Sequence, residues 1–327
     1  MKKEKFMDTS SIILIPNQEI SISLEKALIQ KVANYAQKGL EGSDNTQRAY
    51  QADLRDFQRW CLENKQLDLP ASALTLAAYV THTADTHKWA SINRRLAAIS
   101  KSHQLNNLDL PTKDRTFRAV MEGIKRVKGI RQKQAPAFKM KDFKEIIRNI
   151  EVESNTTKRD KSLLLLGFTG AFRRSEIVAL NIEDLSFTDD GVVVSMGKSK
   201  TNQYGDYEEK ALFYSPEAVL CPVRSLKSWI ETTQQSAGAL FVRVRKGDKI
   251  TTDRLTDKTV NDLVKSYLGE QYSAHSLRAS FITIAKINGA DDSEIIRQSK
   301  HKTSAMIQRY TRIENIKQHN AAMKLGF

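Results

Sequence analysis

Four short segments of this chain carry residue types that do chemistry: Thr169-Gly-Ala-Phe-Arg-Arg-Ser-Glu176, Gly197-Lys-Ser-Lys-Thr201, His275-Ser-Leu-Arg278, and His301 with Tyr310 nine residues on. Guanidiniums are planar, always protonated and shaped to hold two oxygens of an oxyanion. A phenol with a pKa of about 10 is a poor nucleophile near neutrality unless a neighbouring group accepts its proton. A lysine or histidine placed beside a departing atom can supply or remove that proton. His275 and Arg278, at i and i+3, fall on one face of a helix while Ser276 and Leu277 point elsewhere, an arrangement suited to a shared anion. Taken singly each segment is weak. An arginine on a helix is most often a surface residue, a histidine is more often packed or solvated than catalytic, and a lone Tyr310 reads as a rim aromatic. The weight lies in their joint occurrence, in this order, in one basic half of the chain.

Positioning such groups takes a folded scaffold, and 327 residues, 40% of them hydrophobic, suffice for two domains each with its own core. Residues 1–40 form a weakly patterned lead-in, after which Ser43 or Asp44 followed by Gln47 marks a helix start. Tyr50, Leu54, Phe57 and Cys61 then make one helical stripe; Pro70 opens a second helical stretch through Tyr79. Trp89, Ile92, Leu96 and Ile99 make a third stripe, whose opposite face holds Asn93, Arg94 and Lys101, and Phe117, Val120, Met121 and Ile124 make a fourth. These predict an all-helical bundle over residues 41–128. Trp60 and Trp89 read as core, and the histidines at 82, 87, 103 and 319 read as surface. Beyond the bundle, helical patterning through Ile150 and the buried run 163–168 (LLLLGF) precede two β-rich runs, Gly191–Met196 and Lys210–Tyr214, joined by a polar hairpin tip that carries Lys198 and Lys200. Helices alternating with polar turns are expected from there to the C-terminus. The second domain, residues 138–316, is thus read as mainly α with a small antiparallel sheet, followed by a tail at 317–327.

Charge narrows the partner. There are 52 Lys and Arg against 38 Asp and Glu, a formal charge of +14, which favours a polyanion because each phosphate neutralised releases counterions. Nucleic acid is the first candidate and an anionic membrane surface the second. Between Lys113 and Arg148 twelve cations face four acids, and the centre of this stretch, residues 129–137, has Gly129, Pro136 and no helical period. It reads as an extended basic linker, with a merely solvated charge run as the plainer alternative. No run of about 18 apolar residues and no signal-peptide pattern appear, so the expectation is a soluble cytoplasmic protein with no membrane association. Cys61 and Cys221 lack the number and spacing for a disulfide framework or a zinc site, and read as small core residues.

In this order the chemical segments resemble the tyrosine recombinase (phage integrase) family, which uses Arg, Lys, His-x-x-Arg, His or Trp, and Tyr. The resemblance spans residues 43 to 315, with its specificity in the second domain; the first resembles the family's helical, SAM-like core-binding domain in character. It implies a DNA breaking and rejoining enzyme that needs neither metal nor ATP. Arg173 stands two before Ser175 and three before Glu176, as in the family's Arg-x-Ser-Glu pattern. By the same resemblance Arg173 and Arg278 hold the phosphate, His275 accepts the proton of the nucleophile Tyr310, and His301 donates to the phosphate. Lys200 is preferred over Lys198 as the general acid. Ser299-Lys300 departs from the Leu-Gly usual before the second histidine, and Ala279-Ser280 follows Arg278. The family further implies duplex DNA bound by a clamp of both domains and a homo-tetramer on synapsed DNA, monomeric in solution, in a bacterial, phage or mobile-element setting. Arg94, Arg95 and Lys101 on the bundle and Arg126, Lys128, Arg131 and Lys133 around the linker are the expected DNA-contacting cations. Two other readings are a type IB topoisomerase, which shares the chemistry, and a DNA-binding regulator that has lost it. The regulator would be marked by a missing nucleophile or arginine, and none is missing.

Overall fold

A computed structural model describes residue 31 and residues 44–109, 111–130, 134–197, 208–301 and 303–311, with backbone alone at 44, 45 and 308–311. The chain divides between Gln132 and Lys133 into two compact units, each with its own core. Residues 1–30 and 32–40 of the lead-in, Arg131, Lys133, Lys198, Lys200 and the tail 317–327 lie outside the described residues.

Between residues 44 and 130 the described residues of the first unit form four α-helices: α1 (Asp44–Glu63), α2 (Ala73–Thr86), α3 (Trp89–Leu105) and α4 (Arg115–Lys128). Their apolar stripes meet. Phe57, Cys61, Leu76, Tyr79, Ile92, Leu96, Ile99 and Phe117 are buried together, with Leu54, Trp60, Val120, Met121 and Ile124 packed against them. The Phe57 and Tyr79 rings stand edge to face at 4.8 Å. Deleting one such buried aromatic costs about 3–5 kcal/mol, because the pocket it leaves does not fully collapse. Pro70 lies outside α2; the helix starts three residues later, where the Ser72 hydroxyl accepts from the Thr75 N–H. Asp114 does the same for α4 through the Phe117 N–H. His103 corrects the surface reading: it is fully buried on the α3 stripe, its Nε2 accepting from the Ala71 N–H at 2.9 Å while its Nδ1 reaches the Ile99 carbonyl.

In the second unit, α5 (Met140–Asn149) and the central α6 (Asn155–Thr169) lead through α7 (Arg174–Ala179) into a three-stranded antiparallel sheet, β1 (Leu185–Phe187), β2 (Gly191–Met196) and β3 (Glu208–Phe213). Next come α8 (Pro222–Thr233), a two-stranded hairpin of β4 (Val242–Arg245) and β5 (Lys249–Arg254), then α9 (Asp257–Leu268), α10 (Ala274–Ile287), α11 (Asp292–Ser299) and α12 (Ser304–Thr311). Leu163–Leu166 of α6 are buried among Phe143, Val194, Leu212, Trp229 and Leu277, so α6 is the axle on which the other elements pack. The β4–β5 hairpin is a correction, since helices and turns were expected over that stretch. Its turn residue Asp248 accepts from the Asn155 and Thr156 N–H groups at 2.6 and 3.0 Å, which satisfies donors that the start of α6 leaves unpaired. A satellite core of Ile282, Ile295 and Ile307 joins α10, α11 and α12. Among the described residues no helix is long and apolar enough to cross a membrane.

Candidate active site

The site is assembled where α6 ends. Gly170 and Ala171 form a tight turn, with Ala171 in the left-handed region at φ 47°, and a Cβ on Gly170 would fall 2.1 Å from the buried Phe172 ring. The turn delivers Arg173 to the start of α7. There the Glu176 carboxylate reaches back to accept from the Arg173 N–H at 2.9 Å and from its guanidinium. Glu176 is buried, which pushes its pKa up, but Lys210 and Arg173 hold it below its ordinary value. Arg174 points away, to an exposed ion pair with Asp257 at 3.2 Å.

The α10 helix brings His275 and Arg278 in from the other side, one turn apart. Ser273 precedes this helix, and its backbone N–H bonds the Ser276 hydroxyl. Arg278 is fully buried and donates through Nη1 to the Ala171 carbonyl at 2.6 Å, so the same turn that places Arg173 also orients Arg278. His301, after α11, is buried; its Nδ1 lies 3.1 Å from Arg278 Nη2 and 2.8 Å from Ser299 Oγ. Two donors aimed at Nδ1 assign the proton of the neutral ring to Nε2. Lys300, in the left-handed region at φ 54°, closes α11 and turns the chain toward this histidine. Burial, Arg278 and Arg173, with smaller effects of His275 and Lys210, push His301 down to about 3. His275 is also lowered, by desolvation and then by Arg278 and Arg173, although its ring reaches solvent.

Four of the six expected site residues, Arg173, His275, Arg278 and His301, are thus brought together, and the two arginines lower the basicity of both histidines. Tyr310 lies on α12, which Ile307 anchors to α10 and α11; its side chain is outside the described residues, as is Lys200. One member was missed. Lys210, on β3, is fully buried, and its Nζ donates to the Gly170 and Ala171 carbonyls at 2.9 and 3.2 Å. Strand alternation carried the signal, because Lys210 shares the inward face of β3 with Leu212.

The cations expected on the first unit differ among themselves. Arg95 is largely buried: its side chain is only 12% exposed, and it donates to Tyr79 Oη at 2.7 Å, to His87 Nε2 at 3.0 Å and to Asp56, so it braces α1, α2 and α3 internally. Arg94 is half-exposed and bidentate on the buried Asp53. Lys101 is partly exposed, while Arg126 and Lys128 are exposed.

Residues 136–316 match the Phage integrase family, and residues 34–105 match its N-terminal SAM-like domain. An integrase/recombinase XerD homolog of Selenomonas ruminantium is 35% identical over 99% of this chain and 94% of its own length. Among solved structures, the Tn1549 transposon integrase in complex with transposon right end DNA matches at TM-score 0.60 and 13% identity, covering 90% of this chain and 98% of that one. A lambda integrase fragment in a dimer bound to a COC′ core site matches at TM-score 0.53 and 15% identity, covering 89% and 95%. The chain belongs to the phage integrase family and is a tyrosine recombinase.

Proposed function

We propose that the protein is a site-specific recombinase that cleaves and rejoins duplex DNA through a 3′-phosphotyrosyl link to Tyr310, needing neither metal nor ATP. The observation that carries this reading is the charge of the site. Arg173 and Lys210 flank the Glu176 carboxylate, Arg278 shares the Ala171 carbonyl with Lys210, and two neighbouring histidines are driven toward their neutral forms. A phosphodiester suits such a cluster: the two guanidiniums are placed to offset charge developing on its non-bridging oxygens.

In this reading the Tyr310 oxygen attacks phosphorus and its proton passes to His275, whose lowered basicity leaves it neutral and able to accept. The bond from phosphorus to the 5′-oxygen breaks, and Lys200, with Lys198 as the alternative, protonates that oxygen. His301 Nε2–H donates to a non-bridging oxygen. Because the phosphate stays esterified to Tyr310, its bond energy is retained, and another strand's 5′-hydroxyl reverses the step. Four copies on two synapsed sites would exchange the strands. Both units would contact the duplex, the first through Arg94, Lys101, Arg126 and Lys128, with Arg131 and Lys133 beyond the described residues. A nicked suicide substrate tests the proposal: wild type should accumulate covalent adduct in EDTA without ATP, and Tyr310→Phe should bind the DNA equally well yet form none. An adduct that persists in Tyr310→Phe would move the nucleophile elsewhere.

A further inference from the structure

We infer that Lys210 is a positioning residue that sets the orientation of both arginines toward the phosphate; the inference rests on the reading of Arg173 and Arg278 as the phosphate clamp. A single ammonium touches the support of each arginine. Its Nζ lies 2.9 Å from the Gly170 carbonyl, 3.2 Å from the Ala171 carbonyl and 3.5 Å from Glu176 Oε2, and 4.2 Å from the centre of the Phe172 ring. The Ala171 carbonyl is the one that receives Arg278 Nη1, and Glu176 is the residue that fixes Arg173 by backbone and guanidinium together. Lys210 therefore links, through the Ala171 carbonyl on one side and the Glu176 carboxylate on the other, the supports of two guanidiniums.

The turn explains why a cation is needed there. Ala171 holds a left-handed conformation unfavourable for a non-glycine residue, and both turn carbonyls meet the buried Lys210 ammonium. Buried carbonyls demand donors. An ammonium has three, which matches two carbonyls and one carboxylate, and its charge balances Glu176 in a place no water reaches. The cation is held under tension: burial, Arg278 and Arg173 push Lys210 down, to about 7, against the pull of Glu176. Such a site does not arise from packing, which an apolar residue in register with Val194 on β2 would serve without desolvating a charge.

The test separates a brace from a mere packing role. Lys210→Met keeps the length of the side chain and removes charge and donors; Lys210→Gln keeps a donor without charge. Both are assayed beside Arg173→Ala on nicked duplexes carrying either an ordinary phosphodiester or a methylphosphonate at the cleavage position. The methylphosphonate replaces one charged non-bridging oxygen by methyl, so it relaxes the need for a well-placed clamp. On the phosphodiester, Lys210→Met should bind DNA with unchanged affinity and form adduct on the order of 10²-fold more slowly, as expected for misplaced charge stabilisation. On the methylphosphonate, its deficit relative to wild type should shrink to within about tenfold, and combining it with Arg173→Ala should add less than the product of the two single defects. Adduct formation at the wild-type rate on the phosphodiester would overturn the inference, and so would an equal deficit on both substrates, which marks a structural role alone. If Lys210→Met is unfolded by circular dichroism, Lys210→Gln is read by the same criteria. Arg173→Ala distinguishes the two levels: if it shows no defect on the phosphodiester the clamp reading itself fails, whereas a normal Lys210→Met beside a crippled Arg173→Ala removes only the role of Lys210.

Discussion

His301 makes the free protein sensitive to acid. Its ordinary value is 6.5, and burial together with Arg278 and Arg173 brings it to about 3 in the folded chain. Between those values the unfolded chain binds a proton that the folded chain refuses, so the stability tied to the neutral ring is fully present above 6.5 and is lost as the pH falls toward 3. Each pH unit in that window is worth about 1.4 kcal/mol, so lowering the pH from about 7 to about 5 should remove about 2 kcal/mol through His301 alone. The second unit contains one tryptophan, the buried Trp229, and in a background of Trp60→Phe and Trp89→Phe its fluorescence follows that unit during urea unfolding. His301→Gln cannot take up the proton, so its stability should fall by about 2 kcal/mol less than that of the parent over the same interval. Equal losses in parent and variant would mean that His301 titrates normally and that the two guanidiniums do not act on it. Bound phosphate brings negative charge beside His301, so binding of DNA should raise the His301 pKa and flatten the difference.

Four further outcomes follow from the same geometry. Lys200→Ala should slow cleavage by roughly 10²–10⁴, as for loss of a general acid, and a 5′-phosphorothiolate should restore most of it because sulfur leaves unprotonated; rescue of Lys198→Ala in its place would reverse the two lysines. Replacing Arg126, Lys128, Arg131 and Lys133 with Ala should flatten the plot of log affinity against log salt by up to about 0.9 per lost phosphate contact, and an unchanged slope would leave the strap merely solvated. Arg95→Ala should lower the thermal midpoint of the first unit, at a cost of about 1–3 kcal/mol for the donors lost to Asp56 and Tyr79, which still hydrogen-bond each other, with the salt slope intact; a changed slope would mark it as a phosphate contact. Removing 317–327, which carries Met323, Leu325 and Phe327, should spare binding by one copy and weaken tetramers, since the second unit offers an apolar cavity of about 760 Å³ beside Phe143, Phe168, Leu212 and Phe281 for a neighbour's tail; assembly of undiminished stability in the truncated chain would exclude that docking.

Much of the scaffold was legible because burial writes a period into the sequence. The stripes through Phe57, Ile92 and Phe117 named the core of the first unit, and the run Gly191–Met196 named β2 to the residue. Polar residues on those same stripes were harder to read. Arg95 stands three after Ile92 and His103 four after Ile99, both on the buried side of α3, yet their types suggested solvent. Their burial depends on partners distant in sequence, Asp56 for Arg95 and the Ala71 N–H for His103, which no local window displays. The β4–β5 hairpin was missed for another reason. Its strands are short and mostly exposed, and its clearest mark is the turn at Gly247-Asp248, where both residues have positive φ. The site residues were legible as types in order. What sequence could not display was the shared Ala171 carbonyl, which ties Arg278 and Lys210 to the turn that delivers Arg173.

The central claim is that Tyr310 becomes covalently joined to a 3′-phosphate. The most direct measurement traps the adduct on a nicked duplex, digests protein and DNA, and locates the linkage by tandem mass spectrometry. A nucleotide phosphate on the peptide containing Tyr310, with a free 5′-hydroxyl on the released strand, is the predicted result; linkage at any other residue, or a phosphate left on the 5′ end, would contradict the account.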